Sequence, residues 1–213
     1  MKVTKFSHAC LRVEHDGAVL VVDPGVWSEA EQALDAVDAV LLTHEHVDHV
    51  DADRLADALA KRPQATVYSH PAVLEKYASQ WAGLAVAVQS GESFHAAALP
   101  VRAFGGWHAV IHPEIPRVPN LGFFINESLY HPGDSFDPPE GADVETLFVP
   151  VAGPWLKVAE SIDFVRAVRP HRVYALHDCL DNELSAGLVD AHLSGRSGCP
   201  YERLTPGSTI SMG

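Results

Sequence analysis

Ala39-Val-Leu-Leu-Thr43 runs without a break into His44-Glu-His-Val-Asp-His49. The first five residues have the composition of a buried strand. The next six place three imidazoles and a carboxylate in the pattern His-x-His-x-Asp-His. Neutral imidazole nitrogen and carboxylate oxygen suit first-row divalent ions. In a loop leaving a buried strand, side chains at i and i+2 can point the same way and clamp one ion. The turn onward into a helix then aims Asp48 and His49 at a second. A solvated polar turn is the alternative, but chance would give this pattern in about one chain in 300 of such composition. No cysteine pair accompanies the histidines, so a thiolate zinc finger is disfavoured.

Outward from this loop, strand-like and helix-like segments alternate. Residues 2–6, 9–14 and 18–22 read as strands, with Asp16-Gly17 as a hairpin signal between the last two. Leu55, Ala58 and Leu59 recur at helical spacing between Asp51 and Arg62, and Pro63 ends that segment. A strand around Thr66–Tyr68 follows, then a helix opened by Pro71 and running towards Trp81. The stretch 84–131 reads mostly as strands: 85–88, 93–99, 101–104, 121–125 and 128–130. Three prolines between His112 and Pro119 mark an irregular loop within it. Alternation then resumes, with strands at 146–151 and 173–176 and helices at 157–168 and 183–193. The pattern predicts one α/β domain over residues 1–213. A faint duplication shows as well: Ala39–Thr43 delivers His44 and Val173–Leu176 delivers His177, each at the end of an apolar strand.

The 213 residues carry 15 Lys+Arg against 28 Asp+Glu, a formal charge of −13, and 47% of them are apolar. That composition belongs to a folded, water-soluble protein. Its acidity argues against a broad grip on DNA or RNA and against docking on an anionic membrane. Cys10, Cys179 and Cys199 are odd in number and widely spaced, which predicts reduced thiols and a cytoplasmic setting. The first residues lack the apolar core of a signal peptide, and Ala18–Val22, the longest apolar run, is far too short to span a bilayer. Histidine is in excess, with 13 copies.

The hexapeptide alone would leave a metal site incomplete. Three downstream residues stand in strand-edge contexts: His108 after Gly105-Gly106-Trp107, Asp134 in Tyr130-His-Pro-Gly-Asp-Ser135, and His177 after Tyr174-Ala-Leu176. Singly, each reads as readily as a surface or capping residue. As an ordered set with the hexapeptide they resemble the metallo-β-lactamase-fold hydrolase superfamily, over nearly the whole chain. Lys5-Phe-Ser-His-Ala9 and Val19-Leu-Val-Val-Asp-Pro-Gly25 are similar to a short branch related to ascorbate-6-phosphate lactonase.

This resemblance implies a four-layer αββα sandwich with two divalent ions at one sheet edge, zinc first, with manganese or iron as alternatives. By motif position, His44, His46 and His108 would hold one ion, Asp48, His49 and His177 the other, and Asp134 would bridge them. Asp48 and Asp134 are the candidate catalytic carboxylates. Asp23 matches a position that orients a ligand imidazole. Departures exclude some relatives: the commonest class B β-lactamases carry a cysteine where Asp134 stands, and flavodiiron proteins a glutamate where His46 stands. Nucleases of the superfamily carry RNA-binding elements for which this acidic chain has no obvious room.

A pair of divalent ions lowers the pKa of a bridging water, and the hydroxide would attack a carbonyl or phosphorus. The expected function is therefore hydrolysis of a small ester-like substrate: a lactone, carboxylic ester, thioester or phosphodiester. A positive pocket in an acidic protein favours a small anionic or electron-rich substrate over a polymer. The alternative is a metal-binding sensor or partner-binding protein of the same fold. His8, His131 and Asp178 are the candidate proton donors near the metal positions. Among the aromatics only Trp107 is expected to line the site, while Trp27, Phe123, Phe124 and Trp155 read as core.

Overall fold

The apolar runs at the start of the chain pair as the alternation predicts. In the computed structural model, which describes residues 1–77, 79–81 and 85–213, β1 (Lys2–Lys5), β2 (Leu11–His15) and β3 (Ala18–Val22) are antiparallel neighbours. A four-residue helix, α1 (Ala30–Ala33), leads to β4 (Ala39–Leu42), which is buried on both faces and lies parallel to β3. Helix α2 (Ala52–Lys61) starts where the Asp51 carboxylate accepts the Arg54 N–H. It buries Leu55 and Leu59 and crosses to β5 (Thr66–Ser69). Helix α3 (Pro71–Tyr77) then leads to β6 (Ala85–Ala87). The helix read as running towards Trp81 is described only to Tyr77, and residue 78 lies outside the described residues.

The second half repeats this plan. Antiparallel strands β7 (Ser93–Ala96), β8 (Leu99–Trp107), β9 (Pro119–Ile125) and β10 (Leu129–His131) are followed by parallel strands. These are β11 (Thr146–Pro150), β12 (Arg172–Leu176) and β13 (Tyr201–Glu202), connected through α4 (Val158–Val168) and α5 (Glu183–Arg196). A last strand, β14 (Thr209–Ser211), returns to pair with β1. The two sheets run β14-β1-β2-β3-β4-β5-β6 and β13-β12-β11-β10-β9-β8-β7.

One apolar core, including Leu11, Leu20, Leu41, Leu121, Phe123 and Phe148, lies between the sheets. A second packs α1, α2 and α3 on the outer face of the first sheet, and a third packs α4 and α5 on the second. The layers are therefore helix, sheet, sheet, helix, the four-layer sandwich expected.

Three readings need correction. Residues 93–99 are not one strand broken at Pro100: the hairpin turns at Ala97 and Ala98, both left-handed (φ 49° and 63°), and Pro100 sits inside β8. Proline was the visible breaker, and no glycine or asparagine marked the real turn. The short strands β13 and β14 carry no alternating signal. The duplication is real in topology but pairs different residues. By sheet position β3 matches β10, so Asp23 and Asp134, which follow those strands, are the corresponding pair; β4, which delivers His44, matches β11 and not β12.

Candidate metal centre

Loops leaving both sheets bring the predicted side chains to one edge. His44, His46, Asp48 and His49 come from the β4–α2 loop, His108 from the end of β8, Asp134 from the loop after β10, and His177 from the end of β12. Two groups of potential ligand atoms result, each lying within 4.8 Å of one another: His8, Asp48, His49 and His177, and His44, His46, His108 and Asp134.

Asp134 sits between the groups, buried. Its oxygens lie 3.1 Å from His49 Nε2, 3.1 Å from His177 Nε2, 3.2 Å from His108 Nε2 and 3.8 Å from His44 Nε2. Yet His49 Nε2, His108 Nε2, His177 Nε2 and Asp134 Oδ1 make no hydrogen bond despite full burial. Buried polar atoms left unpaired are costly. A convergent cluster of them, all lone-pair donors, is what a divalent ion would satisfy, so the residues present fit metal.

Neighbouring groups fix the imidazole orientations. Asp23 accepts from His49 Nδ1 at 2.7 Å, from the Thr43 N–H at 2.8 Å and from the Thr43 hydroxyl at 2.7 Å. With its proton given to Asp23, Thr43 Oγ1 is left to accept from His44 Nδ1 at 3.0 Å. His108 Nδ1 donates to the Ala109 carbonyl at 2.6 Å. In all three rings Nε2 is thereby left facing the site. We expect Asp23→Asn to weaken metal binding about 10- to 100-fold, measured by competition with a chromophoric chelator.

Charge follows the same geometry. Burial holds His44 and His46 well towards the neutral form, helped by neighbouring imidazoles. Burial also opposes charge on His49 and His177, but Asp134, joined by Asp23 at His49 and Asp48 at His177, outweighs it. His49 is pushed well up, and His177 up to about 9. For Asp134 and Asp48, burial favours the neutral acid, yet the surrounding histidines hold both carboxyls far below their usual range.

Three residues here adopt the left-handed region without being glycine: His8 (φ 62°), Asp23 (φ 48°) and His177 (φ 58°). Such strain persists only where surroundings enforce it. Gly133 supplies a close approach: a Cβ there would stand 2.4 Å from Asn120 Oδ1 and 2.7 Å from Thr43 Cβ. Asn120 in turn accepts the Asp134 N–H at 3.0 Å and donates to the Pro132 carbonyl at 2.9 Å, shaping the turn that presents Asp134.

Other candidates sort unevenly. His8 belongs to the site, donating from Nε2 to Asp48 at 3.0 Å, and burial, partly offset by that bond, draws it down to about 4. His131 does not face the ligand atoms. Buried, it donates to the Ala9 carbonyl at 2.9 Å and accepts from the Gly133 N–H at 3.2 Å, so it is a turn histidine that braces the Asp134 loop, with Nε2 4.0 Å from Asp23. Trp107 is 52% exposed at the end of β8, beneath the Arg117 guanidinium. Two tryptophans read as core lie on the site instead: Trp155 packs edge-on against His108 and His177 at 5.5 and 5.7 Å, and Trp27 against His8 at 4.9 Å.

In the sequence Lys5 reads only as part of the opening motif, with no role of its own. It is fully buried, and Nζ donates to the Phe6 carbonyl and to Asp178 Oδ1 at 3.2 Å, tying β1 to the residue after His177. Asp178 thus accepts a buried ammonium and does not cap α5, whose N-cap is Asn182. The signal available was a lysine at an inward strand position, flanked by Val3 and Phe6. Lys5→Met should cost about 1–2 kcal/mol of stability, because Asp178 loses its nearer partner and keeps only the Arg203 guanidinium at 3.9 Å, read as a lowered urea midpoint.

A cleft of about 510 Å³ lies elsewhere, between α1 and α2, with charges of both signs including Asp35, Arg54 and Lys61. It holds none of these ligand atoms. No helix among the described residues is long and apolar enough to cross a membrane.

Comparison with known proteins bears on the family and the fold. Residues 2–177 match the family description "Beta-lactamase superfamily domain". Protein Rv0786c of Mycobacterium tuberculosis is 35% identical over 217 residues, covering 100% of both chains. A UPF0173 metal-dependent hydrolase of Carboxydothermus hydrogenoformans is 26% identical over 100% of both. Among solved structures, the metallo-beta-lactamase fold protein YhfI from Bacillus subtilis matches with a TM-score of 0.76 at 16% identity, covering 98% of each chain.

Proposed function

The chain belongs to the beta-lactamase superfamily, and from that premise we propose that it is a dinuclear metal-dependent hydrolase of a small ester-like substrate. Lactones, carboxylic esters, thioesters and phosphodiesters are the bond types in view. The observation that carries this reading is Asp134, one buried carboxylate reached by imidazoles of both ligand groups within 3.1–3.8 Å. His44, His46 and His108 would hold one ion, Asp48, His49 and His177 the second, with Asp134 between them. UPF0173 relatives named as metal-dependent hydrolases support the same class. The further likeness to ascorbate-6-phosphate lactonase rests on the opening motif alone.

Bound divalent ions would supply Lewis acidity and a water nucleophile active near neutral pH. Imidazole and carboxylate ligands suit zinc first, and manganese or iron as well. The protein's own groups aim the ligands, and burial keeps His44 and His46 towards the neutral form. His8 holds Asp48, Asp23 holds His49, and Trp155 covers two ligand rings from solvent. The substrate is a small molecule and not a nucleic acid, in keeping with the charge of −13. Cys10, Cys179 and Cys199 are all free thiols, which fits a cytoplasmic setting.

The test is metal analysis of the purified chain, followed by assay of zinc-, manganese- and iron-loaded protein on a panel of these esters. Two ions per chain with turnover are expected. Ions bound without turnover on any ester would favour a metal-binding sensor instead, and a chain that cannot be loaded would overturn both readings.

Metal uptake should also release protons. His49 and His177 are raised in the metal-free protein, so both carry protons at pH 7 that an incoming ion must displace. We expect about two protons released per chain at pH 7. Apparent affinity should rise with pH, the His177 contribution ending above about 9. Calorimetry in buffers of different ionisation enthalpy measures this.

A further inference from the structure

Exposed large apolar side chains are not scattered over this protein. Half of those among the described residues sit on or beside the segments that carry the candidate ligands. Val47 lies between His46 and Asp48, and Leu180 closely follows His177. Trp107 and Val110 flank His108, and Ile115 stands further along the same loop.

Contacts bring these loops together around one mouth. The Val26 N–H donates to the Val47 carbonyl at 2.9 Å, setting those two residues side by side. Trp27, 44% exposed, touches the His8 ring with its own and meets Cys179 Sγ with its carbonyl at 3.7 Å, which puts Leu180 next in line. From there Leu184, 81% exposed, and Leu188 one turn later continue the stripe along α5. Opposite, Ile115 and Pro116 line a small recess with His46 and His108.

Three of the carboxylates on these loops are paired with cations from neighbouring elements. Glu45 pairs with Lys76 at 2.9 Å, Asp178 with Lys5 at 3.2 Å, and Asp181 with Arg203 at 3.1 Å. Arg117 donates Nε to the His108 carbonyl at 2.8 Å and lays its guanidinium over Trp107. Arg117, exposed and without a carboxylate partner among the described residues, is the cation left at this rim for a phosphate, whereas exposed apolar side chains stand on several of its loops. Contiguous exposed apolar surface marks a binding site more than isolated residues do.

We propose that the substrate carries an apolar body, a medium-length acyl chain or an aryl group, seated on this rim beside the scissile bond. The inference deepens the hydrolase reading and rests on it. It also narrows the charge-based expectation towards an electron-rich carbonyl.

The test uses the full chain, zinc-loaded, with p-nitrophenyl esters from acetyl to octanoyl. kcat/KM should rise about two- to fourfold per methylene before levelling off. Independently of turnover, octanoate should quench tryptophan fluorescence and bind at least about tenfold tighter than acetate. The double variant Ile115→Asn/Leu180→Asn, checked for folding by its thermal transition, should cut the octanoyl-to-acetyl ratio at least about tenfold. Leu184→Asn, on an open helix face, serves if that variant does not fold.

Hydrolysis with no dependence on chain length would overturn the apolar-body inference and leave the hydrolase reading standing. So would a chain-length series that the variants leave unchanged while dissolving a dimer, because the rim would then be an interface between copies. Octanoate binding without hydrolysis of any ester would do the reverse, supporting the apolar site and sinking the hydrolase reading.

Discussion

Asp134→Ala should lower kcat/KM by about 10³-fold or more, equivalent to roughly 4 kcal/mol of barrier, while leaving a folded protein. The carboxylate lies within 3.1–3.8 Å of Nε2 atoms from four histidines. Those atoms come from loops of both sheets. Without it neither ion position keeps a shared anionic ligand, and bound metal should fall below two ions per chain. The fold should survive, because the turn is held through the Asp134 N–H to Asn120 and the Ala109 N–H to the Asp134 carbonyl. Both bonds use backbone atoms of residue 134, which alanine retains. Metal-free Asp134→Ala should also lose the raised His177 titration near 9, since Asp134 is the foremost group lifting it against burial. Elemental analysis, steady-state assay and histidine NMR titration together read these effects. Activity within tenfold of the parent would show that Asp134 is not shared between ions.

Gly25→Ala should be the most disruptive glycine-to-alanine change among the described residues. A Cβ at this position would lie 1.8 Å from the Asp48 carbonyl oxygen, 2.1 Å from its carbon and 2.6 Å from His49 N. These are backbone atoms between two candidate ligands, so no rotamer change relieves the clash. The Asp23–Gly25 turn and the metal-binding loop lie back to back, joined by Val26 N–H to Val47 O and Asp51 N–H to Pro24 O, each at 2.9 Å. Parting them should cost roughly 3 kcal/mol or more and misplace Asp48 and His49 together. Gly187→Ala is the control: its Cβ meets nothing within 4 Å, and it lies inside α5. Alanine there should stabilise by about 0.5–1 kcal/mol. Denaturant unfolding with metal titration separates the two. A Gly25→Ala protein of parental stability would mean that the two loops are not in contact in solution.

Much of the fold was legible because its signals are local. The runs at 18–22 and 39–42 form strands where their composition places them. Asp51 and Pro63 bracket a helix observed at Ala52–Lys61. Failures fall where the determinant lies far off in sequence. Thr209–Ser211 becomes a strand only because β1, some two hundred residues earlier, offers an open edge. Ala97 and Ala98 turn left-handed because β7 and β8 must pair in the register of Phe94 with Val101, and neither alanine announces it.

The candidate site divides in the same way. His44, His46, Asp48 and His49 could be read from one hexapeptide, since a single loop presents them all. His108, Asp134 and His177 stood out only as an ordered set, each alone being an ordinary strand-end residue. Trp155 gave no usable sign and Lys5 only its inward strand position, because a ring packed on two imidazoles and a buried ammonium are defined by partners from other elements.

The sequence by itself determined that one loop carries a His-x-His-x-Asp-His set suited to a metal, that strand-like and helix-like segments alternate, and that the chain is acidic. Only the tertiary structure decided that Asp134 stands between two groups of imidazoles, that Asp23 is its topological counterpart holding His49, and that the mouth is rimmed with hydrocarbon. The reason is geometric. Ligands from separate strands share a site only when the two sheets stack with their loop-bearing edges aligned, and that alignment is fixed by the packed core between them.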